Sequence, residues 1–359
     1  MPVTGVFHYA GIHARVRALY STLLSQPEMS DLIQAASFNS LVDLLRQTVY
    51  GPYLVSVEER VLTPRRAAYQ LKIQMAKDYH TVIKSSPDQI APLLRQYYRS
   101  FEVDNLKAVL RGIFSGYSWD RVRYVLFPMG TMSSLPAEAM IGAGGISEAV
   151  ELLRGRPYYY TLEHALDRYN VEQSLFPLEV ALDLNYWRGI WQDVNQLHNP
   201  DREHALRILG SLLDMNNLMW AIRYRIYYDL SEEEVINYTL PFGYRVRDED
   251  IRAIAAGADI PQVVERIYPH LSGLGALLSA PRKGLPELEV KLLRQVVDDC
   301  KKSFLGYPFH IGIPLAFLVL KKMEVQDLIV LIEAKSSQMT VEEFRPQLLA
   351  GVEPSGQTA

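Results

Sequence analysis

The stretch that decides the fold is "DNLKAVLRG", residues 104–112, because two further copies of it occur along the chain. The second copy is "NNLMWAIRY", residues 216–224, and the third and weaker copy is "QDLIVLIEA", residues 326–334. The copies start 112 and 110 residues apart. Because self-similarity at a fixed period is the signature of a repeat architecture, the sequence predicts three similar units.

The copies share polar residues at fixed positions. An Asn-Leu pair opens the first two copies and an Arg follows six residues after the Asn, whereas Asp and Glu stand at these positions in the third. The recurring residues are Asn105, Arg111, Asn217, Arg223 and Asp327. We interpret them as structural residues that make the same hydrogen bond in each unit, since an active site is normally asymmetric. The alternative is that they contact a partner protein.

Each copy also has the apolar spacing of an amphipathic helix, as Leu106, Val109 and Leu110 show in the first. A second helix start follows each copy, at "SWDRV", "SEEEV" and "TVEEF". Ser231 and Thr340 are each followed three residues later by Glu, which predicts capping boxes, whereas Ser118 is predicted to act as a simple cap. No segment alternates convincingly between polar and apolar residues, so we predict an all-α fold.

A second block of sequence repeats in a different phase, at residues 35–54, 142–162 and 255–274. Each copy has a patch of small residues, a short helix and an aromatic-rich end. The patch "GAGG" at residues 142–145 lacks the G-x-G-x-x-G spacing and follows no strand pattern. We therefore predict that its glycines permit close helix packing and bind no nucleotide.

The repeats divide the chain into three helical domains and a tail. We predict domains at residues 1–104, 105–216 and 217–350, the last with closing C-terminal helices, and a disordered tail at 351–359. Long helices are predicted from Thr63-Pro64 and from Pro177. The first unit begins inside "IHARVRALYSTLL" and a partial unit follows residue 326, so the two chain ends are predicted to overlap in role.

The composition is that of a soluble globular protein. The 359 residues are 48% apolar, with 37 Lys and Arg against 41 Asp and Glu, which argues against a surface built for nucleic acid or acidic lipid. The single cysteine, Cys300, excludes an internal disulfide or a zinc site of several thiolates. The N-terminus has no secretory signal pattern, so we place the chain in the cytoplasm.

The most apolar stretch is "GYPFHIGIPLAFLVLKKMEVQDLIVLIEAK", residues 306–335. Its uninterrupted run covers only residues 307–320 and contains Pro308, His310 and Pro314. A spanning helix needs about 18 or more apolar residues. We therefore predict a core helix from residue 314 to residue 335 and no insertion into a membrane.

The sequence contains no constellation typical of a catalytic centre. His198 and His204 flank Pro200 and share no helical face, which indicates a solvated loop and no metal site. The pair Asp298-Asp299 is followed by lysines, which favours a charged helix face over a metal site. We predict no catalytic residue, no cofactor and no metal.

With these residues in view, the chain resembles the C subunit of the V-type (A-type) rotary ATPases and ATP synthases, which is related to the d subunit of the eukaryotic vacuolar proton pump. The similarity is carried by "ARVRAL" near the start, "LRQYYRSFEVDNLKAVLRG" at residues 94–112 and "PFHIGIPLAFLVLKKMEVQDLIVLIEAK" from Pro308. It extends over essentially the whole chain.

The resemblance implies three helical domains about a pseudo-threefold axis that form a funnel without enzymatic activity. It implies a central-rotor subunit on the cytoplasmic face of the membrane, whose partners are the central-stalk subunits and the membrane proteolipid ring. Such a protein transmits torque between proton or sodium-ion movement and ATP synthesis or hydrolysis. A soluble helical adaptor unrelated to membranes is the alternative, and a helical enzyme is a third hypothesis that would require convergent carboxylates or histidines.

Overall fold

The computed structural model describes residues 3–55, 62–271, 273–278 and 280–349. Within these ranges the chain is helical, with no β-strand. The predicted all-α fold class is therefore confirmed. The predicted tail at 351–359 lies outside the described residues.

Twenty α-helices lie in the described ranges. In chain order they are α1 (Val3–Tyr20), α2 (Gln26–Gln34), α3 (Phe38–Leu45), α4 (Gly51–Val55), α5 (Pro64–Ser85), α6 (Ala91–Phe114), α7 (Trp119–Val122), α8 (Ala137–Ile141), α9 (Ile146–Glu151), α10 (Tyr159–Glu172), α11 (Phe176–Gln196), α12 (Asp201–Ala205), α13 (Ser211–Ile226), α14 (Glu232–Asn237), α15 (Asp248–Ala255), α16 (Ile260–Ile267), α17 (Leu274–Leu278), α18 (Pro281–Lys302), α19 (Gly312–Ser336) and α20 (Val341–Phe344). A π-helical turn, Leu206–Gly210, joins α12 to α13.

The chain divides into two compact units. The large unit consists of Met1–Pro87 and Leu197–Ala359, and the small unit is Asp88–Gln196. The predicted domains at 1–104, 105–216 and 217–350, and their arrangement as a funnel, remain predictions.

The core of the small unit forms where α6 packs against α11 and α8, and where α10 packs against α11. The predicted apolar face of α6 is fully buried, with Leu106, Val109 and Leu110 removed from solvent. Phe101 on the same helix stacks on Phe127 with ring centroids 4.0 Å apart. Burial of this face is the main source of stability for the unit.

The core of the large unit is built around α19, which packs against α1, α5 and α18. Eighteen of its 25 residues are buried. The core helix predicted at 314–335 is thus confirmed, with observed ends at Gly312 and Ser336. In the described part of the chain, no helix has the length and apolar character that crossing a bilayer requires. The second repeat helix, α13, buries Leu218 and Ile222 and packs against α15 and α18.

Most helices for which the sequence predicts a capping residue begin immediately after that residue. The Thr63 hydroxyl accepts the Arg66 N–H at the start of α5, and Ser231 and Glu234 form the predicted capping box of α14. Glu343 accepts the Thr340 N–H at 2.7 Å, as predicted for α20.

Two local predictions are wrong. Ser118 precedes α7, but its hydroxyl makes no capping hydrogen bond to the described residues, and Arg121 stands where a capping box needs Glu. The glycine patch does not serve close packing at Gly144, where an added Cβ would have no neighbour within 4 Å among the described residues.

Candidate functional site

The repeated asparagines each bind the backbone of the loop that follows the next short helix, α7 for Asn105 and α14 for Asn217. Asn105 donates from Nδ2 to the Phe127 carbonyl at 2.9 Å, and its Oδ1 accepts the Phe127 N–H at 2.6 Å. Asn217 makes the same pair of bonds with Leu240, at 2.7 and 2.8 Å. A side-chain amide has one donor side and one acceptor side, so it can satisfy both backbone groups of a single residue. This chemistry explains why Asn occurs at both positions.

The third copy makes half of this arrangement. Oδ1 of Asp327 accepts the Leu349 N–H at 2.7 Å. An ionised carboxylate has no proton to donate to a carbonyl. Nearby, Arg294 donates from Nε and Nη2 to the Leu348 carbonyl, at 3.1 and 2.9 Å, and its positive charge interacts favourably with Asp327.

A buried carboxylate lies three residues before each of these side chains. The three acids are Glu102, Asp214 and Glu324, and all are almost completely removed from solvent. One helical turn separates positions three apart, so each acid points to the same side as its Asn or Asp. We define the acid, the Asn or Asp and the backbone groups that they bind as a polar clamp; there is one in each copy of the repeat.

The carboxylates also bind loop groups. Glu102 accepts the Ser134 N–H, the Ser134 hydroxyl at 2.9 Å and the Tyr158 hydroxyl at 2.7 Å. Asp214 accepts the N–H groups of Tyr244 and Arg245 at 2.7 and 2.6 Å. Burial raises the pKa of Asp214 to about 6, although these backbone donors oppose the shift by favouring the charged form.

The third clamp takes its partners from the start of the chain. Glu324 accepts the Leu24 N–H and the Tyr50 hydroxyl, both at 2.6 Å. Tyr50 belongs to the first copy of the second repeated block, as Tyr158 belongs to the second copy. The N-terminal residues therefore complete the unit that the C-terminal helix begins, in agreement with the predicted overlap of the two chain ends.

A charged network surrounds Glu324, and among the described residues no buried lysine or arginine lies beside Glu102 or Asp214. Lys321 is fully buried, with its Nζ 3.1 Å from Glu324 Oε1 and 3.5 Å from Asp78 Oδ2. Gln74 donates to Asp78 at 3.1 Å, and the ammonium lies 4.5 Å from the centre of the Tyr50 ring. Burial raises the pKa of the Asp78 carboxyl, and the charge of Lys321 opposes the increase.

The repeated arginines join α6 and α13, the helices that carry the first two copies of the repeat, to the next long helix in each case. Arg111 binds Glu179 of α11 in a bidentate pair, at 2.6 and 2.7 Å, and Arg223 pairs with Glu289 of α18. The arginine side chains are 61% and 40% exposed, so each ion pair stabilises the fold by about 1 kcal/mol or less. These contacts fit a structural role, and the alternative of a partner contact stays a prediction.

The histidine prediction needs correction. His198 is exposed as expected, but His204 is half-buried and stacks on His310, with ring centroids 3.5 Å apart and planes 3° apart. Nδ1 of His310 accepts the Gly312 N–H at 3.0 Å, at the start of α19. Burial lowers the pKa of His310 to about 4, and the neighbouring His204 adds to this shift. His204 and His310 are 106 residues apart in sequence, so periodicity could not reveal the stack.

No metal or catalytic centre emerges from the described residues. None of their His, Cys, Asp and Glu side chains form a group of three or more that could hold a metal ion. Asp298 and Asp299 lie on α18, and Asp299 is 3.6 Å from Lys302. Cys300 is completely buried, and burial raises the pKa of its thiol far above the ordinary range. A thiol in this environment is unreactive.

The fold and the polar clamps define an all-helical repeat protein in which the repeated polar residues form hydrogen bonds with the protein's own loops. The profile of the ATP synthase (C/AC39) subunit family matches residues 12–347. The chain belongs to this family, whose members are non-catalytic accessory subunits of the rotary complex.

Three similar proteins are each named as the C subunit of an A-type ATP synthase. The protein of Methanocaldococcus jannaschii is 24% identical over 346 residues, which cover 95% of this chain and 86% of the relative. That of Methanothermobacter thermautotrophicus is 25% identical, with 97% and 89% covered, and that of Haloferax volcanii is 22% identical, with 97% and 99% covered. The similarity therefore extends over nearly the whole length of each protein.

Proposed function

We propose that this chain is the C subunit of an A-type rotary ATPase or ATP synthase and acts as a socket in its rotor. In this proposal it connects the central-stalk subunits to the membrane proteolipid ring on the cytoplasmic face. It carries torque between the movement of protons or sodium ions and the synthesis or hydrolysis of ATP. The family match over residues 12–347 carries the proposal, and it favours a rotary-ATPase subunit over an unrelated soluble adaptor.

The internal bonding supports a mechanical role. A part that transmits torque must resist deformation, and closely packed helices have low compressibility. Within the large unit, buried hydrogen bonds join residues that are far apart in sequence. For example, the Tyr79 hydroxyl donates to the Leu318 carbonyl. Lys335 donates to the Ile33 carbonyl at 2.8 Å, so the last turn of α19 is fixed to the N-terminal region.

The proposal is tested by removing the chain from the assembled enzyme. Membrane vesicles that lack it should still hydrolyse ATP, since catalysis takes place on other subunits, but should lose ATP-driven ion uptake. Adding back the purified chain should restore ion uptake. Unchanged ion transport in its absence would refute the coupling role.

A second measurement tests the partners. A tagged copy expressed in the native host should co-purify with central-stalk and proteolipid subunits after mild solubilisation of the membrane. Recovery of the tagged chain alone from the cytosol, with the rotary complex intact in the membrane, would contradict the proposed location.

A further inference from the structure

The large unit contains an open cleft, and the backbone of one of its lining residues, Arg245, also belongs to the second polar clamp. It lies between one face of α18 and the turn that follows α16, and its volume is about 730 Å³. Sites that bind ligands or peptide segments commonly have volumes in this range. We call it the basic cleft.

The cleft carries an excess of positive charge in a chain whose net charge is -4. Its charged lining consists of Arg245, Lys291, Arg294 and Lys302, with Asp298 and Asp299. Lys302 is 3.6 Å from Asp299, and Arg294 donates to the carbonyls of Pro346 and Leu348. Arg245 and Lys291 form no ion pair with any described residue, although the buried Asp214 lies near enough to interact with Arg245. These two cations therefore remain available to an external anion.

The opposite wall is apolar. It is formed by Ile267, Pro269 and Leu271, beside the exposed His270. A compact polyphosphate would gain nothing from this apolar wall. A peptide suits both walls, because its apolar side chains can cover the first while its backbone N–H groups donate to Asp298.

We propose that the basic cleft binds an acidic segment of a partner protein, with carboxylates on Arg245 and Lys291 and apolar side chains on Ile267 and Leu271. The positive charge accelerates encounter and selects acidic partners, and the apolar wall supplies contact area. This inference does not depend on the proposed place in the rotor.

The first test uses the purified full-length chain and a short fluorescent peptide that alternates Glu and Leu. The peptide should bind in a salt-sensitive manner, and a matched Gln-Leu peptide should bind at least about tenfold more weakly. Combined reversal of two cleft charges, Arg245→Glu with Lys291→Glu, should weaken binding by a similar factor. The control is Lys301→Glu, an exposed reversal on the same helix but outside the cleft, which should leave binding unchanged.

Several results would overturn the inference. These are equal binding of the two peptides, an equal loss in the Lys301→Glu control, or full binding by the double variant. Tripolyphosphate that competes at the cleft more strongly than the peptide would point to a phosphate site and would also refute it. Circular dichroism establishes that each variant is folded. Because the charge of Arg245 lies near the buried Asp214, the milder pair Arg245→Gln with Lys291→Gln is measured as well, and it should weaken peptide binding in the same direction.

The second test applies to the assembled rotary complex and rests on the proposed function. A photo-crosslinking residue in place of His270 should attach to an acidic segment of one neighbouring protein of the complex, while the same residue in place of Lys301 should not. Absence of the cross-link in a complex that contains the chain would refute the inference and leave the family role intact. Failure of the chain to enter the complex would instead count against the proposed function, and the peptide assay would then decide the inference alone.

Discussion

Replacement of Asn217 by Ala tests the polar clamps most directly. Asn217 is buried and makes two bonds with the backbone of Leu240, so its removal leaves one N–H and one C=O group without their partner. An unsatisfied buried polar group costs about 1–3 kcal/mol, so the loss of partners by two groups should lower the unfolding free energy by about 2–6 kcal/mol. Water that enters the site would place the loss at the lower end of this range.

Chemical denaturation of the purified chain, followed by circular dichroism, measures this loss. The matched control is Asn216→Ala, because the adjacent Asn216 lies only partly buried and binds the Leu212 carbonyl within its own helix. The control should lose less than about 1 kcal/mol. If the two variants are equally stable, or if Asn217→Ala unfolds with the wild-type midpoint, the clamp does not hold the loop as described.

Three further perturbations have defined outcomes. Leu218→Asp places a charge on a fully buried face and should unfold the large unit, which would appear as lost helicity; retained wild-type stability would refute the assigned face. Arg223→Ala should cost about 1 kcal/mol or less in a denaturation midpoint, since its ion pair is exposed; a loss of several kcal/mol would show that the pair acts in the core. His310 should contribute a loss of stability as the pH decreases from about 6.5 toward about 4, because the unfolded chain binds a proton that the buried imidazole, with its lowered pKa, does not accept. Asp214, with its pKa raised to about 6, contributes in the opposite direction, so the His310 contribution is read from the difference between wild type and His310→Gln in a pH series of melting curves. The variant should lose less stability than the wild type toward acid pH, and equal pH dependence of the two proteins would contradict the assignment.

The sequence predicts the helices well because their signal is local. Apolar spacing around Leu106 and Leu218 places both faces in the core, and the capping pattern at Ser231 marks a true helix start. The partner of each Asn could not be predicted in the same way. That partner is a backbone group 22 or 23 residues away, and a backbone group leaves no mark on the sequence.

The burial of the clamp carboxylates could not be predicted from the sequence for a different reason. Asp214 is one methylene shorter than Glu102 and Glu324, and an acid on a helix usually indicates a solvated face. The signal that could have found them is their fixed position, three residues before each Asn or Asp. A carboxylate that recurs at one helical position in every unit is better explained by a buried partner than by solvent.

The third clamp explains why one copy of the repeat departs from the other two. Glu102 reaches residues 32 positions away, whereas Glu324 reaches Leu24 across 300 positions. In the simplest chain description, closing the longer loop costs about 2 kcal/mol more entropy than closing the shorter one. Glu324 accepts the Tyr50 hydroxyl as Glu102 accepts that of Tyr158, and the additional bond, from Lys321, occurs in the clamp that closes the longer loop. The third copy therefore combines a neighbouring loop, bound by Asp327 through the Leu349 N–H, with N-terminal groups bound by Glu324, and in this way it joins the two ends of the chain.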